Sequence, residues 1–233
     1  MYIYGKNVVK TALSTSQKRD VEKLYLYQNF DDRNLLSIIE KSKIPIEFLT
    51  KIEMEHIVRG NHQGIIAKVK EFEYSRFEEF NQDNAFLVIL DHIEDPHNFG
   101  AIVRTCEAAG VTGIIIPKDR ACEVNSTVIK VSTGAINNMK IAQVTNLNVA
   151  IKKLKEQGFW IIGTDMQGEN YRKLDYSGKI GIVIGNEGKG MSRLTSELCD
   201  FKASIPMVGK TNSLNASVAT GIVIFEALGR RSK

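Results

Sequence analysis

The strongest constraint on what this chain can fold into is a set of strand-like, mostly continuous apolar runs beyond residue 85. They are Phe86-Leu87-Val88-Ile89-Leu90, Gly113-Ile114-Ile115-Ile116, Lys140-Ile141-Ala142-Gln143-Val144, Phe159-Trp160-Ile161-Ile162, Gly181-Ile182-Val183-Ile184 and Ala203-Ser204-Ile205. A strand with one wet face alternates apolar and polar residues, whereas these runs offer water almost nothing. Segments of helical character fall between most of them. The pattern predicts an α/β domain over residues 85–233, built on a parallel sheet covered by helices.

Residues 1–72 follow a smaller rhythm. Val21-Glu22-Lys23-Leu24-Tyr25-Leu26-Tyr27 alternates like a strand, and Asp32 to Ser42 has helical spacing at Leu35, Leu36, Ile38 and Ile39. Ile44 to Leu49 returns to strand character, a short helix is expected over Ile52 to Val58, and a last strand over Gly64 to Phe72. This reads as a separate small α/β module. Between the two units, residues 73–84 are charged and polar with no period of either kind, and are read as a linker.

Charge excludes little: 31 Lys plus Arg against 27 Asp plus Glu leave +4, which permits contact with nucleic acid without requiring it. Cys106, Cys122 and Cys199 are odd in number and match no CxxC spacing, so they read as structural thiols of a reducing compartment. No apolar stretch reaches the ~20 residues of a membrane helix, and the N-terminus lacks a signal-peptide apolar region. A cytoplasmic protein without a membrane partner is expected.

Polar residues concentrate where strands should give way to helices. Asp91-His92-Ile93-Glu94-Asp95-Pro96-His97-Asn98 offers a dense set of metal-ligating side chains, but it lies on one strand-to-helix turn, where Asp and Asn serve as turn and cap residues and Pro suits a helix start. No metal is expected. In the following helix, Asn98 to Ala109, Arg104 and Glu107 stand three apart and share a face. They suit either a solvated ion pair or an arginine aimed over the carboxyl edge of the sheet.

Gly185-Asn186-Glu187-Gly188-Lys189-Gly190-Met191-Ser192 and Thr211-Asn212-Ser213-Leu214-Asn215-Ala216-Ser217 each follow an apolar run and lead into a helix, which places both at that edge, where open sheets bind ligands. The first is neither GxGxxG nor a P-loop, and Gly209-Lys210-Thr211 fails the Walker pattern because position 204 is Ser204. Glu187 also disfavours a polyphosphate, so a neutral or cationic ligand fits better. Asn215 suits a helix cap as well as a site residue, and Ser213 has no GxSxG elbow and no histidine beyond His97 to serve it.

Asn98 to Gly110, Ile184 to Ser192 and Ser213 to Thr220, in that order, resemble the three motifs of the SpoU branch of the SPOUT methyltransferases, the TrmH-like RNA ribose 2′-O-methyltransferases. Tyr4-Gly5-Lys6-Asn7-Val8-Val9 and Asn61-His62-Gln63-Gly64 resemble the ribosomal-protein-like RNA-binding domain of the RlmB-type members. The resemblance implies S-adenosylmethionine as cofactor, a homodimer, and a deep trefoil knot formed by the C-terminal segment, against the general rarity of knots. It implies RNA rather than DNA as substrate, specifically a guanosine ribose in the P-site loop of 23S rRNA. A tRNA or other rRNA ribose, or an inactive RNA-binding assembly factor, are the alternatives. Carried over by position, Thr164, Gly185, Ile205 and Leu214 would contact the cofactor. Asn98, Arg104, Glu187, Ser213 and Asn215 would serve catalysis or substrate placement.

Overall fold

The computed structural model describes residues 1–14, 21–211 and 213–231. Two sheets organise it. The first, in spatial order β1 (Tyr2–Tyr4), β4 (Ile65–Val69), β2 (Val21–Tyr27), β3 (Ile46–Leu49), is antiparallel except for the parallel β2/β3 pair. Helices α1 (Lys6–Ser14), α2 (Arg33–Ser42) and α3 (Lys51–Ile57) complete this unit. Local signals set its helix starts: Asp32 accepts from Leu35 N, and Thr50 and Glu53 form a reciprocal capping box. The last strand is shorter than the expected Gly64 to Phe72, because the pairing with β1 and β2 ends at Val69.

The second sheet is wholly parallel, in the order β10 (Phe201–Ser204), β8 (Trp160–Asn170), β9 (Ile180–Gly185), β5 (Phe86–Asp91), β6 (Gly113–Pro117), β7 (Ile141–Val144). Helices α4 (Pro96–Ala108), α5 (Ser126–Val131) and α8 (Ala216–Arg231) accompany it, with α4 packed against both others, as do α6 (Leu147–Glu156) and α7 (Arg193–Leu198). The apolar runs are explained by this double cover. Val88, Leu90, Ile114, Ile182 and Ile184 enter one core with residues of α4 and α8, while Leu87, Ile89, Ile115 and Val183 enter another with residues of α6. Each such side chain contributes roughly 1.5–3 kcal/mol when fully buried.

The 73–84 stretch is tied to the second sheet. Phe80, on a 3-10 turn over Phe77–Phe80, is fully buried in the core with α6, directly against Gly113, where an added Cβ would lie 2.4 Å from its ring. Ser75 N donates to Ile141 O at 2.8 Å, and Tyr74 Oη accepts from Val124 N at 3.0 Å. One apolar cluster also joins the small unit to the larger one.

Two features of the larger sheet shape the site. Strand β5 has β6 on one side and β9 on the other, so the turns after β5 and β9 meet at the switch point of the strand order. Strand β8 runs to Asn170, well past the expected Ile162, and its pairing with β10 jumps from Lys202↔Gly163 to Ala203↔Glu169. The intervening residues bulge out of register at the carboxyl edge.

A candidate active site at the carboxyl edge of the sheet

The turn after β5 is fixed by its own polar side chains. Asp95 accepts from His97 N at 2.9 Å and caps α4, with Pro96 opening the helix. Asp91, 1% exposed, accepts from Ser192 N at 2.6 Å and pairs with His92 Nδ1. His92 itself has φ +60°, a sparsely populated region for a residue with a Cβ, and its carbonyl accepts from Asn186 Nδ2 at 2.9 Å. Asp91 and His92 thereby join the β5 turn to the loop after β9.

That loop is a closed hairpin. Asn186 N donates to Gly190 O at 3.1 Å and Gly190 N returns the bond to Asn186 O at 2.9 Å. Asn186 Oδ1 accepts from Gly188 N and Lys189 N, and Gly190 takes φ +67°. Gly185 has no room for a side chain, since a Cβ would lie 2.3 Å from Met191 N and 2.4 Å from the carbonyl carbon of Gly190.

Asn98, Glu187 and Asn215, each from a different segment, meet here. Asn98 is buried; its Nδ2 donates to Glu187 Oε1 at 2.6 Å and its Oδ1 accepts from Asn215 Nδ2 at 2.9 Å. Asn215 Oδ1 in turn accepts from Ser217 N at 2.9 Å, so this residue caps α8 and joins the polar relay at once. The relay also fixes how the Asn98 amide is oriented, because only this assignment gives Glu187 a donor and Asn215 an acceptor.

Beside the relay lies a cavity of about 430 Å³, within the range of small-molecule sites. Thr164, Gly185, Ile205 and Leu214 all line it, together with Glu187 and Ser213. Its walls are apolar at Ile184, Met207 and Leu214, opened by small residues at Gly185, Ala203, Ala216 and Ala219, and carry carboxylates at Asp165 and Glu187. Thr164 Oγ1 donates to Val183 O at 3.0 Å, holding the start of the β8 bulge against β9.

Arg104 stands apart. It is exposed on α4, is absent from the cavity lining, and makes no ion pair or hydrogen bond among the described residues. The ion pair with Glu107 that the spacing allowed is not formed; Glu107 accepts from Asn138 Nδ2 at 3.0 Å instead. The run from Asp91 and the loop holding Asn186 are visible in the sequence, but not the bonds these two side chains make across the turns, nor the Asp165–Met166 bulge. Nothing in the polar run after Ile162 announces a continuing strand.

The SpoU rRNA Methylase family model matches residues 85–225, and the model for RNA 2′-O ribose methyltransferase substrate binding matches residues 2–75. YacO of Bacillus subtilis (strain 168), whose name places it in the TrmH family of tRNA/rRNA methyltransferases, is 40% identical over 99% of this chain and 96% of its own length. The SpoU methyltransferase AviRb of Streptomyces viridochromogenes, solved with AdoMet, superposes with a TM-score of 0.87 over 100% of this chain and 91% of that one, at 21% identity. The AdoMet-bound rRNA methyltransferase of Sinorhizobium meliloti gives a TM-score of 0.77 at 26% identity, over 97% of this chain and 85% of that one. With Asn98, Glu187 and Asn215 gathered at one sheet edge and 40% identity along nearly its whole length, the chain belongs to the SpoU family of RNA methyltransferases, also called the TrmH family.

Proposed function

We propose that this protein transfers the methyl group of S-adenosylmethionine to a ribose 2′-oxygen in RNA, with a guanosine in the P-site loop of 23S rRNA as its target. The observation that carries this reading is the Asn98–Glu187–Asn215 relay standing against a cavity lined by Thr164, Gly185, Ile205 and Leu214. The cavity suits the cofactor chemically. Gly185 lets the 186–190 hairpin close onto the end of β9 at the cavity wall, the apolar wall can cover a flat ring, and the carboxylates of Asp165 and Glu187 favour a cationic sulfonium over a polyphosphate. The AdoMet-bound relatives support the same occupant.

When bound, the cofactor supplies an electrophilic methyl group, so no nucleophilic side chain is needed. The protein must exclude water and hold the ribose oxygen in line. Asn98, with both ends of its amide engaged, is a fixed point in that arrangement, and Ser213 adds a hydroxyl at the cavity wall. Arg104 contributes a permanent charge that can grip a phosphate or steady the oxygen as it loses its proton. A guanidinium does not itself take the proton.

A homodimer and a C-terminal knot belong to this reading. Helix α8 exposes Val218 and Phe225, each 50% accessible and seven residues apart on one face, an apolar stripe that a second copy would cover. Helix α4 packs on α8, so a copy seated there would also stand near Arg104. The knot rests on the resemblance of the C-terminal motif, Ser213 to Thr220, in the stretch between β10 at one edge of the sheet and α8 packed on α4.

Mapping 2′-O-methyl groups on rRNA and tRNA from cells with and without the protein tests the proposal. Loss of one 23S ribose methyl in its absence is expected. Loss confined to tRNA would replace the target, and an unchanged map of both RNAs would overturn the activity.

A further inference from the structure

Among the described residues lining the cavity, Lys189 carries the one positive charge. Its side chain is exposed and makes no ion pair among the described residues. The carboxylates nearby are otherwise engaged: Glu187 accepts from Asn98 at 2.6 Å, and Asp165 faces Lys202 at 3.6 Å. Lys189 is therefore not held as their counter-ion.

The backbone beneath it is fixed. The paired bonds between Asn186 and Gly190 close the hairpin, Asn186 Oδ1 accepts from Lys189 N at 3.3 Å, and Asn186 Nδ2 anchors the hairpin to His92 O. Lys189 is two residues beyond Glu187, so their Cα atoms are at most about 7 Å apart. In RNA the 2′-oxygen and the 3′-phosphate hang from adjacent ribose carbons. A ribose placed against Asn98 and Glu187 thus presents its own phosphate within one nucleotide of the Lys189 ammonium, a compact point charge suited to that anion.

We propose that Lys189 grips the phosphate flanking the target ribose and acts as a positioning residue for methyl transfer. This rests on the ribose-methyltransferase reading above. The competing anion is the carboxylate of the cofactor's methionine moiety, and the two sources predict different measurements.

The test uses full-length protein, Lys189→Ala and Lys189→Arg, with deproteinised 23S rRNA and S-adenosylmethionine. For Lys189→Ala, the RNA KM is expected to rise roughly tenfold with kcat changed less than KM, and the slope of log affinity against log salt to fall by about 1. Cofactor Kd, measured by calorimetry without RNA, should stay within about twofold, and Lys189→Arg should recover most of the loss. Unchanged RNA KM and salt slope would overturn the proposal, as would a loss of cofactor affinity that accounts for the whole effect. The RNA-binding slope needs no turnover, so it judges Lys189 even if the wild type transfers no methyl group; that separate result would sink the activity reading.

Discussion

Asn98 and Glu187, 89 positions apart in the sequence, are joined by a 2.6 Å hydrogen bond from the Asn98 amide to the Glu187 carboxylate. A third member, Asn215, bonds the other end of the same amide. Asn98 lies in the first turn of α4, Glu187 in the hairpin after β9 and Asn215 just before α8, so the contact reports that three separate strand-to-helix passages have been brought to one place.

Removing the Glu187 carboxylate should therefore injure the site more than the fold. Glu187→Ala leaves a buried Asn98 donor unpaired, a loss of about 1–3 kcal/mol. Single-turnover methyl transfer should fall by at least tenfold, with the melting temperature lowered by only a few degrees. Wild-type turnover in this variant would mean that the relay does not serve catalysis.

Gly185→Ala probes the cavity floor. The added methyl would meet the backbone of Gly190 and Met191, which cannot swing aside as a side chain could. The hairpin must shift, so cofactor affinity measured by calorimetry should drop at least tenfold. Unaltered affinity would place the cofactor elsewhere.

The C-terminal helix is latched by Arg231, whose guanidinium donates to the carbonyls of Tyr176 at 2.6 Å, Gly178 at 2.8 Å and Asn84, and lies over the Phe86 ring. Arg231→Ala should lower stability by about 2–3 kcal/mol in urea denaturation. Arg231→Lys should recover only part, because a single ammonium nitrogen cannot stand where Nη1 meets Tyr176 and Gly178 and also where Nη2 meets Asn84. Equal stability of all three proteins would show the latch to be idle.

Burial raises the thiols above their ordinary value of 9.0: Cys122 is pushed up to about 11, Cys199 up to about 12, and Cys106 higher still. In the unfolded chain these thiols ionise near pH 9, while in the folded protein they stay protonated. Their contribution to stability is thus complete below pH 9 and is lost as pH climbs toward 11–12. Denaturation midpoints should fall between pH 8.5 and 10.5 by roughly this linkage, and replacing Cys122 with Ala should flatten the decline. Rapid labelling of the native thiols at pH 7.5 would contradict their burial.

Much of the sheet was legible because its strands are buried on both faces, which leaves runs such as Phe86–Leu90 and Gly181–Ile184 without a polar alternation. Strand β8 was legible only to Ile162. Beyond it Thr164-Asp165-Met166-Gln167 bulges at the edge, where a polar strand end looks like a loop. Phe80 was hidden in a charged stretch, since one buried aromatic between Glu79 and Asn81 sets no period. At the site, chain-local spacing suggested Arg104 with Glu107, whereas the bonds formed are long-range: Glu107 to Asn138, and Glu187 to Asn98. Spacing along a helix cannot reveal a partner supplied by another connection.

The most direct test of the account is chemical identification of the methylated product. Purified protein is incubated with methyl-labelled S-adenosylmethionine and deproteinised 23S rRNA, and the RNA is digested to nucleosides. The label should appear as 2′-O-methylguanosine from the P-site loop, and Arg104→Ala should abolish it while binding the cofactor nearly as well as the wild type. Label on a nucleobase, or none on any RNA of the parent cell, would contradict the assignment of this site to ribose methylation.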